Sequence, residues 1–312
     1  MRLSAVDCLR RGWTNLAANW ELVVIQWLEA SLVLVLLAAG LLLPLVILGI
    51  DVLAAKGVEE VLRRLADLRP GLSMALVAMM TVWLAALLLH CFFQAGTFGV
   101  LASGDRQALP GPRRHRLLFR TFSLRDFCGW GGLYVWRFLG VRALFWGLVM
   151  MMAGAVLLWL VFLGVGGGHW GAPAAFGIAC GGVLPLAFLA LVLGLWFHVA
   201  QADLAREGSG VRAAARRGLD VLGRRLGAVI ALFILFLGAG IALSIVFLPL
   251  TAVTDSLLSG APGWRALVRV VLFLLQSLPS TLLAMVLAGS LVALVRSEIR
   301  AEIRRKPEVQ TA

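Results

Sequence analysis

Five stretches of this chain run for more than twenty residues without an Asp, Glu, Lys or Arg: 30–50, 70–104, 143–202, 226–254 and 270–295. The hydrocarbon core of a bilayer, about 30 Å thick, is crossed by roughly 20 apolar residues in a helix. The third stretch has 60 residues, too many for one helix. Its middle reads Gly166-Gly167-Gly168-His169-Trp170-Gly171-Ala172-Pro173, a glycine-rich turn closed by proline. Dividing it there gives six helices, near 24–50, 72–100, 135–164, 174–201, 227–252 and 268–294. Of the 312 residues, 61% are hydrophobic and 14% charged, where an average soluble protein has about 25% charged. That composition excludes a water-soluble enzyme, and it excludes disorder, which needs low hydrophobicity and high charge. The expected fold is all-α: one polytopic membrane domain over 1–312, six transmembrane helices in three hairpins.

The basic residues set the orientation. Arg2, Arg10 and Arg11 precede the first span, six arginines lie in 102–132, six in 203–225, and Arg296, Arg300, Arg304, Arg305 and Lys306 follow the last. The alternate loops hold only Lys56, Arg63, Arg64, Arg69, Arg265 and Arg269, a split of 20 to 6. The positive-inside rule then places both termini in the cytoplasm of a bacterial inner-membrane protein. Asp7, Arg10 and Arg11 interrupt the region where a cleavable signal would have its apolar core, so the first helix is expected to direct its own insertion. The net charge of +12 gathers in these loops, which points to anionic lipid headgroups as partners rather than nucleic acid. Trp13, Trp20, Trp130 and Trp136 fall near the expected inner interface, and Trp170 and Trp264 near the outer one, as in an aromatic belt.

Residues 10–28 superpose on 216–234 without a gap. Arg10-Arg11-Gly12 matches Arg216-Arg217-Gly218, Leu16 matches Leu222 and Val23 matches Val229. Leu43-Pro44-Leu45 then matches Leu248-Pro249-Leu250 with a slip of one residue. The segment 113–127 has the same basic, amphipathic character. Three units follow, about 1–101, 113–202 and 211–296, with 297–312 as a cytosolic tail. Each is a cytosolic amphipathic helix leading into a hairpin. Such helices either lie in the headgroup layer, with arginines on phosphates, or simply cap the bundle. The candidate headgroup ligands are Arg10, Arg11, Arg113, Arg114, Arg116, Arg216, Arg217, Arg224 and Arg225. The Arg10-Arg11-Gly12-Trp13 start, with Asn19-Trp20 and a long apolar helix, resembles six-helix bacterial membrane proteins related to the membrane domain of glycerophosphodiester phosphodiesterases. The resemblance implies an architecture. It carries over no catalytic residue, because nothing in these 312 residues resembles the soluble phosphodiesterase domain.

An ionisable side chain within a span is costly and therefore a candidate site. Glu29 is the clearest, with Arg137 and Arg142 as expected partners. His90 and Gln94 share a face of the second span, and His198 and Gln201 a face of the fourth. These pairs either hydrogen-bond between helices or meet around a cation or polar headgroup. Pro279, with Gln276 and Ser280, is expected to kink the sixth span, freeing a carbonyl that a nearby hydroxyl can re-satisfy.

Catalytic patterns fail on inspection. Glu59-Glu60-Val61-Leu62-Arg63-Arg64 fits the EExxxR spacing of membrane proteases, but the histidine motifs that should follow are missing. Ser103 and Ser290 lack a partner base. Cys8, Cys91, Cys128 and Cys180 are widely spaced and form no metal motif, so reduced structural thiols are expected. The sequence thus points to a membrane protein without catalytic activity, cofactor or metal. It would be an accessory or subunit handling lipid or a small amphiphile, with a membrane-protein partner or a second copy. A small-solute transporter and, less favoured, an intramembrane enzyme are the rivals.

Overall fold

The structure is a computed structural model that describes residues 3–47, 59–60, 69–108, 119, 121–166, 172–205, 209–257, 260 and 262–310. Among the described residues it is built from α1 (Ala5–Ala18), α2 (Glu21–Ile47), α3 (Arg69–Gln107), α4 (Leu124–Gly166), α5 (Ala172–Leu204), α6 (Val211–Leu257) and α7 (Pro262–Gln310), with no strand. Six of these, α2 to α7, are long and apolar enough to cross a membrane. α4 ends at Gly166 and α5 begins at Ala172, so the 60-residue apolar stretch carries two helices rather than one.

The helices are longer than the expected spans. At the arginine-rich end helix extends beyond the expected spans, over 101–107, 124–134 and 211–224. Several of the charges there bond to one another and to backbone carbonyls, which lowers the cost of burying them. The 211–224 segment is parted from the fifth span by a kink at Arg225, whose φ and ψ of −133° and 25° are non-helical.

α1 begins with a reciprocal cap: the Asp7 N–H donates to Ser4 Oγ at 3.1 Å and the Ser4 N–H to Asp7 Oδ2 at 3.3 Å. It ends at Asn19, with φ −128° and ψ 43°. The offset that aligns 10–28 with 216–234 maps the start of α1 onto the start of α6, and Asn19 onto Arg225. Both segments therefore break after fourteen helical residues, in nearly the same backbone conformation.

Consecutive long helices pack side by side, and α7 also touches α2, α3 and α5. Contacts between α2 and α3 run antiparallel, with Gly40 against Trp83, Glu29 against His90 and Gln26 against Thr97. Glycines admit the closest crossings. A Cβ on Gly12 would stand 2.5 Å from the Ser290 backbone nitrogen of α7. One on Gly218, the aligned position in α6, would stand 3.2 Å from Ala200 Cβ of α5. At the start of α4, Phe127 and Trp130 cover Gly96 and Gly99 of α3. The buried residues gather in the half of the bundle nearest the arginines, between Phe98, Phe138, Leu204, Val229 and Leu291. The other half exposes large apolar side chains such as Val35, Met74, Leu158, Ile245 and Val270, as a lipid-facing surface would.

Candidate functional site

Glu29, on the third turn of α2 beyond the Asn19 break, is 1% exposed. Its Oε1 hydrogen-bonds to His90 Nδ1 of α3 at 2.8 Å. Its Oε2 accepts from Gln26 Nε2, and Gln26 Oε1 in turn accepts from Thr97 Oγ1 at 3.0 Å. The result is a continuous string, Thr97–Gln26–Glu29–His90, between two helices, buried except at half-buried His90. The carboxylate is held by the Gln26 amide on one oxygen and by the His90 imidazole on the other. Arg142, half-buried on α4, lies within electrostatic reach of Glu29 and Cys91 and of His198, and its guanidinium covers the Phe197 ring at 5.7 Å.

Several expected members of this site stand elsewhere. Arg137 turns away from Glu29: it donates to the Ser209 carbonyl at 3.3 Å and covers the Tyr134 ring. His198 packs between Phe197 and Phe233 while His90 faces Glu29, so the two histidine faces have different neighbours. Gln94 is half-buried and Gln201 buried. Gln26 and Thr97 belong to the string although no histidine or proline stands within four residues of either to mark them in the sequence. Their positions at i−3 from Glu29 and i+7 from His90 place them on the right faces.

α7 continues as helix through Pro279. Ser277, Ser280 and Thr281 donate to the carbonyls of Leu274, Gln276 and Ser277 at 2.8, 3.0 and 2.9 Å. These flank the Leu275 carbonyl that proline leaves without its N–H partner. Ser277 Oγ also receives the Trp27 indole N–H at 2.8 Å, tying α7 to α2. Ser103 and Ser290 donate to carbonyls of their own helices.

A second polar layer lies at the arginine-rich end. Asp105, Asp203 and Glu298, near the ends of α3, α5 and α7, are 1–2% exposed. Asp105 accepts from Arg11 Nε and, at 2.5 Å, from Arg296 Nη1. Arg217 holds Asp203 at 3.1 and 3.3 Å, and Arg225 holds Glu298 at 3.3 Å while bonding to the Leu3 carbonyl. Arg11 and Arg217 are aligned residues, and each reaches a buried aspartate. The arginines expected at headgroups thus divide. Arg11, Arg217 and Arg225 turn inward, because a buried carboxylate needs a counter-charge. Arg10, Arg216 and Arg224 are exposed, and Arg113, Arg114 and Arg116 lie outside the described residues.

Two clefts adjoin this layer. One, of about 300 Å³, is lined by Trp13, Leu16, Ala17, Trp20, Val23 and Leu282. It is apolar: α1 turns Leu16 into the bundle with its small and polar residues, and Trp13 outward. Cys8, Gly12, Asn15 and Asn19 are buried, while Val6, Trp13 and Trp20 are more than half exposed. Asn15 fixes this docking through a 2.8 Å bond from Nδ2 to the Leu101 carbonyl. The other cleft, of about 290 Å³, lies among the ends of α3, α5 and α7. Cys8, Cys91 and Cys128 are free thiols, and the Cys180 side chain lies outside the described residues. Burial pushes the Cys8 thiol up to about 12. Among the described residues no three His, Cys, Asp or Glu side chains cluster as a metal site would require.

Comparison with protein-family models, with curated proteins and with solved structures finds no match to this chain.

Proposed function

We propose that the chain is a multi-pass protein of the bacterial cytoplasmic membrane, both termini in the cytoplasm, without catalytic activity or cofactor. It handles lipid or a small amphiphile, as an accessory or subunit that supports a transport or envelope complex. The observation that carries this reading is the docking of α1. Val6 and Trp13 of α1, with Trp20 just beyond its end, face outward beside exposed Arg10, and an apolar cleft opens between Trp13, Trp20 and Leu282. An amphipathic helix with that arrangement sits at the headgroup boundary, where its tryptophans reach acyl chains and its arginine reaches phosphate. The three-unit organisation is supported by packing as well as by the aligned residues. α1 crosses α7, the first fourteen residues of α6 cross α5, and the start of α4 crosses α3. Each leading segment therefore rests on the last helix of another unit, a cyclic arrangement that duplication of one unit would produce.

The test is lipid content after purification in mild detergent. Wild-type protein is expected to retain phospholipid, and a Trp13→Ala/Trp20→Ala double variant to retain less at unchanged thermal stability, since both residues are exposed. Equal retention would contradict the reading. A second reading, a small-solute transporter, is favoured by the buried Glu29–His90 pair. It predicts solute flux into proteoliposomes that Glu29→Gln abolishes.

A further inference from the structure

We propose that the cleft among the arginine-rich ends of α3, α5 and α7 binds the phosphate group of an anionic lipid, using Arg106, Arg296 and Arg300. This rests on the amphiphile-handling reading and names the headgroup chemistry for it. All three guanidinium-bearing residues line one cleft of about 290 Å³, close to the lower end of small-molecule pockets, roughly 300 Å³. Asp105 is the buried carboxylate beside the cleft, and it is already shared by Arg11 and Arg296. No carboxylate among the described residues pairs with Arg300. Arg300 sits one helical turn beyond Arg296, and the two guanidiniums repel. An anion between them would relieve that repulsion.

The positions are also fixed in advance. Arg296 is anchored by Asp105 and by a 2.8 Å bond from Nη2 to the Arg106 carbonyl. Arg106 lies over the Trp130 ring at 5.5 Å. Arginine forks on a rigid frame suit phosphate oxygens better than point-charge lysines do, and this chain has only two lysines, neither in the cleft. Inorganic phosphate would need the arginines alone. The remaining wall is apolar, with Val292, Val295 and Ile299 buried and Ile303 exposed at the rim, which suits the glycerol and acyl portion of a lipid.

The experiment is native mass spectrometry of the full-length protein in detergent. The probes are dioleoyl phosphatidic acid, dioleoyl phosphatidylglycerol, dioleoyl phosphatidylcholine and inorganic phosphate. Wild-type protein is expected to prefer the anionic lipids over phosphatidylcholine. Arg300→Gln, at a half-buried residue with no ion pair among the described residues, should lower that preference about tenfold. Arg212→Gln, at an exposed arginine outside the cleft, should leave it intact. Inorganic phosphate is expected not to displace bound phosphatidic acid at equal concentration. An equal loss in both variants, or displacement by inorganic phosphate, would overturn the proposal. Lipid retained without headgroup preference would overturn this inference alone, whereas no retained lipid of any class would remove the reading beneath it.

Discussion

Cys8 and Glu29 are both buried polar residues, and their surroundings treat them oppositely. The Cys8 thiol is enclosed where α1 meets the bundle, and burial raises it from 9.0 to about 12. At neutral pH it stays protonated and is a poor nucleophile. Maleimide at pH 7.5 is therefore expected to label exposed Cys128 and to spare Cys8 until the protein is unfolded, as peptide mass spectrometry would read. The linkage has a definite sign. The unfolded chain releases the Cys8 proton near pH 9 and the folded chain near pH 12. The contribution of this thiol to stability is thus complete below pH 9 and lost as pH rises toward 12. Glu29 instead is surrounded by donors. Glu29→Leu would leave Gln26 and His90 without their acceptor, each at about 1–3 kcal/mol. Glu29→Gln keeps an acceptor and should cost less. Thermal unfolding in detergent should rank wild type above Gln above Leu, and equal midpoints would contradict the hydrogen-bond string.

At the scale of elements, α1 stands on a contact that only glycine permits. Gly12→Val would drive a side chain into the backbone of Gly289 and Ser290. It should destabilise the protein by about 1–3 kcal/mol and raise proteolysis within α1. Gly223→Ala, where an added Cβ meets nothing within 4 Å, should be neutral or slightly stabilising, since alanine loses less backbone entropy than glycine in a helix. Equal losses in the two variants would contradict the close crossing. The long apolar runs made the spans legible in the sequence, because length and hydropathy alone decide them. The alignment of Arg10-Arg11-Gly12 with Arg216-Arg217-Gly218 anticipated two matching helices. Which face of α1 would point outward was not legible. The sequence left open whether the helix lies in the headgroup layer or caps the bundle; in the fold Val6 and Trp13 are exposed while Asn15 and Gly12 are buried. In a membrane, close packing and interhelical hydrogen bonds draw small and polar residues inward. The carboxylates Asp105, Asp203 and Glu298 escaped notice for a related reason: near a span end they read as ordinary interfacial charge, and only the fold brings Arg11, Arg217 and Arg225 onto them.

For the whole molecule, the account rests on six helices crossing the membrane with the arginine-rich end in the cytoplasm. The tight core and the buried ion pairs lie at that end, and the exposed apolar half lies toward the other. Tandem reporter fusions in intact cells test this directly. A fluorescent protein that folds only in the cytoplasm is placed after Pro110, Glu207 or Ala312, and an alkaline phosphatase active only outside it after Lys56, His169 or Gly260. The account predicts fluorescence at the first three sites and phosphatase activity at the second three. Phosphatase activity at Pro110 or Glu207, or an Ala312 fusion that reports from outside, would contradict it.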